Sequence, residues 1–439
     1  MRIADALPVA WALAGAMRSQ WRGPAWWHAR QAALLSQQLA HAAATVPFYR
    51  QTYARMGIGP DAIRSVADLE RLPIVTRAQI QERPEAFLSS LGDRRAWRRS
   101  HTSGSTGRPL VSWFDSACWL HVKYVLKTRR LLASGWRPGQ RVIIVEAIAP
   151  EALMRHAERD ALPGEQRLKG RRYLSVFEPP AQHLDAYRRF RPHYVYAFPS
   201  YLAALADVWD APMRKTVPLR ALMTSAEWLP PAARRRLQEG FGAPVLDVYG
   251  STECKEIAWQ CREQDGYHVN MDSVIVEVVD AEGRQVGSGV TGELLVTTLT
   301  NRAMPLIRYA LGDLGQRMAG ACRCGRGLTR LQRIEGRVND RLTAPDEGFL
   351  SPYALTTAIE AYPAVLQYKV VQREAQRLEV QVVLRPGVNG SALEAIASSV
   401  RRCAGGRWRV EVRSMPAIPP DASGKQRVVE GLRRPSEVP

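Results

Sequence analysis

Short apolar runs separated by amphipathic stretches dominate the first part of the chain. The runs at 142–145, 194–197 and 221–224 are continuous, which is typical of buried parallel strands. Apolar residues at helical spacing lie between them, at 181–190 and 201–209. Strand and helix therefore alternate, and this alternation predicts an α/β fold with crossover connections.

The pattern differs on either side of this α/β stretch. Residues 1 to about 90 are predicted to be helical, whereas Val/Glu/Thr alternation at 274–296 predicts antiparallel strands. Beyond Gly336 we predict two strands, a helix and a last strand, at 367–372, 379–384, 391–403 and 409–413. Because 439 residues exceed a typical single core, we predict a large N-terminal α/β domain with mixed sheets at 1–336 and a small C-terminal α+β domain at 337–439.

The charge balance bounds the partners of the chain. A hydrophobic fraction of 46% argues against disorder, and the formal net charge is +19 with a pI of about 10.1. The excess is spread along the chain, so it attracts polyanions in general: nucleotides, coenzyme A, acidic carrier proteins, an anionic membrane face or nucleic acid. It selects none of these, and we expect no specific nucleic-acid partner.

Cysteine usage and the first apolar run bear on the compartment. Six cysteines in a long chain without a secretory signal favour a reducing, cytoplasmic setting and metal binding over disulfides. The apolar run at 6–17 is shorter than the roughly 20 residues that span a bilayer. We therefore expect no transmembrane segment, and a helix that packs on the body or rests on a surface.

A segment of alternating hydroxyl residues and glycine suggests phosphate binding. In the segment from Ser100 to Leu110, short side chains leave backbone N–H groups and hydroxyls able to point toward one anion. No Gly-Lys-Ser/Thr follows at the spacing of a P-loop, which excludes that class. An ordinary turn or linker is the alternative. The phosphate-binding candidates are Thr102, Ser103, Gly104, Ser105, Thr106 and Gly107.

Two further segments add groups suited to a nucleotide. Asp247-Val248-Tyr249-Gly250-Ser251-Thr252-Glu253 follows a predicted strand, where Tyr249 can stack on a base and Glu253 can hold Mg²⁺. The alternative is an ordinary strand-turn-helix with an exposed carboxylate. Asp313 lies between two glycines and can accept two ribose hydroxyl hydrogen bonds, or it is a common turn residue.

Two late segments are weaker signals. Gly336-Arg337-Val338-Asn339-Asp340 stands at the change of pattern, where a charged surface turn is the alternative. Ser423-Gly424-Lys425 follows two prolines, and a late lysine is usually solvated.

In this order, the five segments resemble the adenylate-forming superfamily of acyl-CoA ligases, and most closely its phenylacetate-CoA ligase-like branch. The resemblance covers nearly the whole chain. The stretches at 45–50 (Thr-Val-Pro-Phe-Tyr-Arg) and 72–76 (Leu-Pro-Ile-Val-Thr) are similar to the opening signature of that branch.

The resemblance implies a role for each matching residue. It implies that the loop at 102–107 wraps the phosphates of ATP, that Tyr249 packs on adenine, and that Asp313 takes the ribose with Arg337 nearby. It implies that Glu253, beside Thr252, helps bind Mg²⁺. It also implies a small mobile domain, joined at a hinge near Asp340, that swings in Lys425 for adenylation. The remaining nucleotide-binding positions that it implies are Ala226, Glu227, Asp247 and Gly250, with Ala226 where many relatives carry glycine.

The function implied is that of an ATP-dependent carboxylate ligase. It would form an acyl-adenylate and pass the acyl group, an aryl acid by resemblance, to a phosphopantetheine thiol on coenzyme A or on an acidic acyl carrier protein. One alternative is an adenylyltransferase that releases an AMP-linked product. Another is a non-catalytic nucleotide-binding protein that keeps the fold.

A metal site is a separate hypothesis. Three thiols and one imidazole, from Cys261, His268, Cys322 and Cys324, would suit tetrahedral Zn²⁺, and the Cys-Arg-Cys-Gly turn can present two sulfurs. Cys254 can substitute for one ligand. The alternative is a set of free buried cysteines.

Overall fold

The computed structural model describes residues 5–59, 62–101, 110–153, 170–337, 342–343, 349–350, 355, 358–359, 361–388, 390–403, 408–419 and 428–432. The chain forms two compact units. The first comprises 1–142, 154–172 and 246–334, and the second comprises 143–153, 173–245 and 335–439. The predicted domain boundary at 336/337 stays a prediction, because the second unit contains residues from both predicted domains.

Helix boundaries coincide with residues that favour helix starts and ends. Proline stands at the first turn of α2 and α3, and α3 ends at Gly57, whose φ of 64° is left-handed. A π-helical turn, His121–Leu126, joins α5 to α6. The helices are α1 (Ala6–Ser19), α2 (Pro24–Thr45), α3 (Pro47–Met56), α4 (Arg77–Glu82), α5 (Ser116–Leu120), α6 (Lys127–Ala133), α7 (Leu184–Phe190), α8 (Pro199–Val208), α9 (Ala211–Thr216), α10 (Pro231–Phe241) and α11 (Ser391–Cys403).

The strands follow the predicted apolar runs. They are β1 (Arg98–His101), β2 (Val111–Phe114), β3 (Val142–Glu146), β4 (Arg171–Ser175), β5 (Tyr194–Ala197), β6 (Ala221–Ser225), β7 (Val245–Ser251), β8 (Lys255–Trp259), β9 (Tyr267–Val269), β10 (Val274–Val279), β11 (Thr291–Thr298), β12 (Tyr309–Met318), β13 (Arg330–Arg337), β14 (Leu342–Thr343), β15 (Phe349–Leu350), β16 (Val365–Glu374), β17 (Arg377–Leu384), β18 (Arg409–Ser414) and β19 (Val429–Glu430).

The first unit is built on antiparallel strands in the order β10-β11-β12-β13-β9-β8-β7. The predicted antiparallel pairing after Val274 is confirmed, with Val274 opposite Thr298 and Val279 opposite Glu293. β1 and β2 form a separate antiparallel pair on either side of the 102–109 segment. The helical N-terminal part packs here, and Gln31 of α2 donates to the carbonyls of Met271 and Val274.

The second unit contains the predicted α/β part, with strands in the order β6-β5-β3-β4. β5 and β6 are parallel, as the continuous apolar runs predict. Their core is fully buried at Val195, Leu202 and Leu222. The fold class is therefore confirmed as α/β with mixed sheets.

The same unit holds the predicted α+β module. Its sheet has the order β18-β17-β16-β19, with β16 and β17 antiparallel. α11 packs on β18, and Val370, Val380 and Ile396 form part of a separate buried core.

Candidate nucleotide site and cysteine–histidine cluster

The β7–β8 hairpin carries Tyr249 and Glu253. β7 continues through Ser251 and pairs antiparallel with β8, so Thr252, Glu253 and Cys254 form the connecting turn. The alternative of a strand-turn-helix with an exposed carboxylate is wrong, because a strand follows and Glu253 is only 7% exposed. Gly250 is needed for this hairpin, since a Cβ there would overlap the carbonyl oxygen of Lys255.

A β-bulge presents Asp313. In the β11–β12 pair, Glu293 faces Leu314 and Leu295 faces Ala310, so 311–313 stand opposite Leu294 alone. Bulges of this kind release residues from the ladder and re-aim their side chains. Gly312, with φ of 74°, supplies the left-handed conformation within the bulge. The bulge therefore lets the Asp313 side chain depart from the regular alternation of side chains along a strand.

Tyr249 and Asp313, predicted from separate segments, meet in the structure. The Tyr249 hydroxyl donates to Asp313 Oδ2 at 2.7 Å. Tyr249 is 9% exposed, and Asp313 is half-buried. The residue expected to pack on adenine and the residue expected to hold ribose are therefore joined by a hydrogen bond to a carboxylate, which is stronger than a neutral one.

Glu253 is held through one of its two oxygens. Oε1 accepts from the Tyr309 hydroxyl at 3.2 Å and from Arg77 Nη1 at 3.3 Å. Burial, and next the charge of Glu253, raise the pKa of Tyr309 well above its usual range, so this hydroxyl stays a donor. Oε2 accepts no hydrogen bond from the described residues. A fixed carboxylate with one available oxygen suits Mg²⁺, which prefers hard oxygen ligands.

Arg77 contacts the candidate residue Glu253, and the sequence analysis missed it. Val75, two residues before Arg77, pairs with the start of β12: Val75 N donates to Arg308 O and Ala310 N donates to Val75 O. Thr76 then caps α4 in a capping box with Gln79, so Arg77 starts that helix in a fixed orientation. The Thr-x-x-Gln pattern predicts the start of α4 but not the contact of Arg77 with Glu253.

Lys255 was also missed. Its Nζ donates to Ser100 Oγ at 2.6 Å and lies 4.6 Å and 5.5 Å from the ring centres of Phe114 and Trp119. No carboxylate of a described residue is within ion-pair distance of it. Burial, and next the charge of Lys127, lower its pKa to about 8. Its only sequence signal is its place two residues after the predicted magnesium ligand.

Asp247 has a structural role in addition to its predicted one. Its Oδ2 accepts from the Tyr267 hydroxyl at 2.7 Å, and its backbone N–H donates to Gln260 Oε1 at 3.0 Å. The carboxylate is 7% exposed and ties β7 to β9. A contact between Asp247 and nucleotide stays a prediction.

Ala226 and Glu227 lie after β6 in the second unit. Ala226 is exposed with φ of 71°, a conformation that favours glycine. Glu227 accepts from the backbone N–H and the hydroxyl of Ser200, at 2.8 and 2.7 Å. The loop is thus fixed at its glutamate, and its predicted nucleotide contact is untested.

Several predicted residues cannot be placed. Thr102, Ser103, Gly104, Ser105, Thr106 and Gly107, like Asp340 and Lys425, lie outside the described residues. The ends of the predicted phosphate loop are nevertheless close, because Ser100 pairs with Ser112 and His101 with Val111. Arg337 is the last residue of β13, and its side chain is not among those described.

The four predicted metal ligands converge. The ligand atoms of Cys261, His268, Cys322 and Cys324 all lie within 4.8 Å of one another. Cys261 Sγ is 3.8 Å from Cys322 Sγ, and Cys324 Sγ is 3.4 Å from His268 Nε2. Tetrahedral Zn²⁺ with bonds of about 2.3 Å to sulfur and 2.0 Å to nitrogen separates two sulfurs by about 3.8 Å and sulfur from nitrogen by about 3.5 Å. The observed spacing therefore fits zinc.

Protonation within this cluster favours metal binding at His268 and Cys324 and opposes it at Cys261 and Cys322. Burial, and next the charge of Arg326, lower the pKa of His268 to about 3, so its imidazole is neutral as a ligand must be. Burial opposes ionisation of Cys324, but hydrogen bonds from Arg326 and Cys322 outweigh it and lower the pKa of this thiol. Burial raises the pKa of Cys261 to about 12.

The cluster also fixes the turn between α1 and α2. Arg326 Nε donates to Gln20 Oε1 at 2.8 Å, and the guanidinium lies 4.6 Å and 5.6 Å from the ring centres of Trp21 and Trp259. Gly327 N donates to Gln20 O, and a Cβ at Gly327 would overlap Arg22 O. A metal here would be structural, because the cluster is closed by packing.

No helix in the described part of the chain is both long enough and apolar enough to span a lipid bilayer.

Comparison with known proteins gives one consistent picture. Residues 172–301 match the family model described as AMP-binding enzyme. The chain is 28% identical over 359 residues to phenylacetate-coenzyme A ligase of Thermus thermophilus, covering 79% of this chain and 78% of the relative. It is 26% identical over 356 residues to the Escherichia coli enzyme of the same name, covering 79% and 76%. A structure of 2-hydroxyisobutyryl-CoA ligase in the postadenylation state superposes with a TM-score of 0.79 at 23% identity, covering 95% of this chain and 92% of that chain.

Proposed function

Because the chain belongs to the adenylate-forming enzymes, in the phenylacetate-CoA ligase-like branch, we propose that it is an ATP-dependent carboxylate–coenzyme A ligase. The carboxylate attacks the α-phosphorus of ATP, which releases pyrophosphate and leaves an acyl-adenylate. The thiol of coenzyme A then attacks the acyl carbon and releases AMP. The Tyr249–Asp313 hydrogen bond, with Glu253 on the next turn, is the observation that supports this proposal most directly.

We propose that Tyr249 and Asp313 position the nucleoside. The tyrosine ring offers a face for adenine, while the hydroxyl holds Asp313 at 2.7 Å. A carboxylate has lone pairs on both oxygens, so Asp313 can accept from two ribose hydroxyls while it keeps the tyrosine. This pairing orients base and sugar together, and orientation of the reactants lowers the barrier to their reaction.

The phosphate end has its own residues. The 102–107 loop would hold the phosphates, with the Thr252 hydroxyl as a further donor from the β7–β8 turn. Glu253 would hold Mg²⁺, which neutralises charge on the phosphate oxygens. Arg77 and Tyr309 keep the Glu253 carboxylate in place through Oε1. Lys425 would add a cation at the reacting phosphate during adenylation, and the module at 337–439 would withdraw it for thioester formation.

The acid and the thiol acceptor are finer points of the proposal. An aryl acid is favoured by the similarity to phenylacetate-coenzyme A ligases and to a benzoate-CoA ligase. The same relatives are coenzyme A ligases, which favours coenzyme A as the thiol acceptor. An acidic acyl carrier protein is the second candidate, and the net charge of +19 supports it.

Pyrophosphate exchange with a panel of acids tests the proposal. We expect exchange that depends on an aryl acid, and AMP release that depends on coenzyme A. Lys425→Ala should abolish adenylation, while Lys215→Ala, at an exposed position of α9, is the matched control and should retain it. Exchange with no acid in the panel would contradict the proposal. Exchange followed by a stable AMP-linked product and no thioester would indicate the adenylyltransferase instead.

We also propose that Cys261, His268, Cys322 and Cys324 bind one structural Zn²⁺. The spacing of their ligand atoms supports this. Metal analysis of the purified protein should give one zinc per chain, and Cys322→Ser/Cys324→Ser should lose both the zinc and thermal stability. Cys403→Ser, outside the cluster, is the control. A metal-free protein with an unchanged melting temperature in the double variant would contradict the site.

A further inference from the structure

In the described part of the chain, nothing covers one apolar face of α1. Leu7 and Trp11, one helical turn apart on the same side, are 72% and 74% exposed. The opposite side of α1 packs on the π-helical turn, so the exposed face has a fixed orientation on the first unit. Soluble proteins seldom expose large apolar side chains in groups unless these contact a partner or a membrane.

Two more large apolar side chains are exposed just after α1. Trp21 and Trp26 are 51% and 41% exposed. Trp21 is held by the cation–π contact with Arg326, and Trp26 packs edge-on against buried Trp27 at 5.0 Å. Their positions are therefore fixed. We call Leu7, Trp11, Trp21 and Trp26 the indole patch.

The segment that carries the indole patch is strongly biased toward positive charge. Residues 5–59 contain five arginines, no lysine, and Asp5 as the sole acidic residue. Three of the arginines are exposed and flank the patch in sequence, at Arg18, Arg22 and Arg30. Tryptophan and arginine around an apolar helix face are the composition of helices that lie in the membrane interface. The tryptophan rings fit the headgroup level, and the guanidinium groups meet anionic lipid.

The geometry argues for a helix that lies on a bilayer. With 14 residues at a rise of about 1.5 Å, α1 is about 21 Å long, which is less than a hydrocarbon core of about 30 Å. A second copy of this chain is a poor occupant, because it brings the same cations and a net charge of +19. A nucleic acid is also a poor one, because the face from Ala6 to Met17 has no cationic or hydrogen-bonding side chain apart from the indole of Trp11.

We propose that the indole patch is an interfacial anchor that binds bilayers containing anionic lipids. The ligase would then work at a membrane surface, with α1 in the plane of the interface. This proposal does not depend on which acid the enzyme activates.

Vesicle co-sedimentation of the full-length protein tests the anchor. We expect at least tenfold stronger partitioning onto vesicles of phosphatidylcholine with one quarter phosphatidylglycerol than onto phosphatidylcholine alone, and weakening with salt. Leu7→Gln/Trp11→Gln should lower partitioning at least tenfold and leave pyrophosphate exchange unchanged. Val290→Gln, which removes another exposed apolar side chain, is the matched control and should bind like the wild type. Arg18→Gln/Arg22→Gln should reduce the preference for anionic vesicles.

Three results would overturn the anchor. One is equal partitioning of the wild type onto neutral and anionic vesicles, or none onto either. Another is unchanged partitioning of Leu7→Gln/Trp11→Gln. The third is a dimer, seen by light scattering without lipid, that Leu7→Gln/Trp11→Gln abolishes, which would assign the indole patch to a second copy.

Discussion

Replacing Tyr249 by phenylalanine separates the two roles proposed for this residue. The ring remains available for adenine, and only the donor to Asp313 Oδ2 is removed. A hydrogen bond to a charged group contributes about 1.5–3 kcal/mol. Since about 1.4 kcal/mol is a factor of ten, the KM for ATP should rise about 10- to 150-fold if that bond positions Asp313 for ribose. Tyr249→Ala also removes the stacking face, which contributes a further 1–3 kcal/mol or so per base.

The assay is acid-dependent pyrophosphate exchange at saturating acid, with ATP varied. Tyr362→Phe is the matched control, because its hydroxyl donates to Ala395 O at the same distance, 2.7 Å, within the α+β module. A double-mutant cycle with Asp313→Asn isolates the pair, since Tyr249→Phe should have little effect once Asp313 has lost its charge. A KM within twofold of the wild type in Tyr249→Phe, or its full effect persisting in Asp313→Asn, would refute the reasoning.

Three further predictions concern stability. Arg308 donates to the fully buried Glu277 and to the carbonyls of Leu72 and Gly283, so Arg308→Met should lower the free energy of unfolding in urea by about 3–5 kcal/mol. Adding Glu277→Met should restore most of this loss, because no lone buried charge remains. Equal stability of the single and double variants would contradict the prediction. Burial, followed by the charge of Lys127, lowers the pKa of Lys255 to about 8, so the unfolded chain binds more protons than the folded one between about pH 8 and 10.5. Relative to Lys255→Met, the free energy of unfolding of the wild type should therefore rise with pH across that window. Parallel curves for the two proteins would disprove the shift. Ala226→Gly should stabilise by about 1 kcal/mol, because the exposed alanine has φ of 71°, and a loss of stability would show that the side chain makes a contact that outweighs this strain.

Periodicity was sufficient to predict most elements. The strand at 194–197 and the helix at 391–403 have the predicted bounds. Each is determined by the spacing of apolar residues within the segment itself. The hairpin after Tyr249 was not foreseen. Its turn depends on the close approach of Gly250 to the carbonyl oxygen of Lys255. The segment after the turn is a strand because it pairs with β7, and this pairing is a tertiary contact.

The candidate residues were identified by residue type, and their arrangement was not predicted. Tyr249, Glu253 and Asp313 carry recognisable chemistry, and the four cluster residues have the donor set of zinc, so sequence alone identifies them as candidates. Arg77 and Lys255 acquire their roles from tertiary contacts with Glu253 and Ser100, more than 150 residues away in sequence. Local pattern carries no information about such distant partners.

The β-bulge that carries Asp313 has an evolutionary consequence. Leu311, Gly312 and Asp313 hang outside the pairing of β11 with β12, which resumes at Leu314. A change of composition at 311–313 therefore leaves the register of β11 against β12 unaltered. If Asp313 holds the ribose, as proposed, a library of insertions confined to 311–313 would change the nucleotide preference while the register of β11 against β12 is kept.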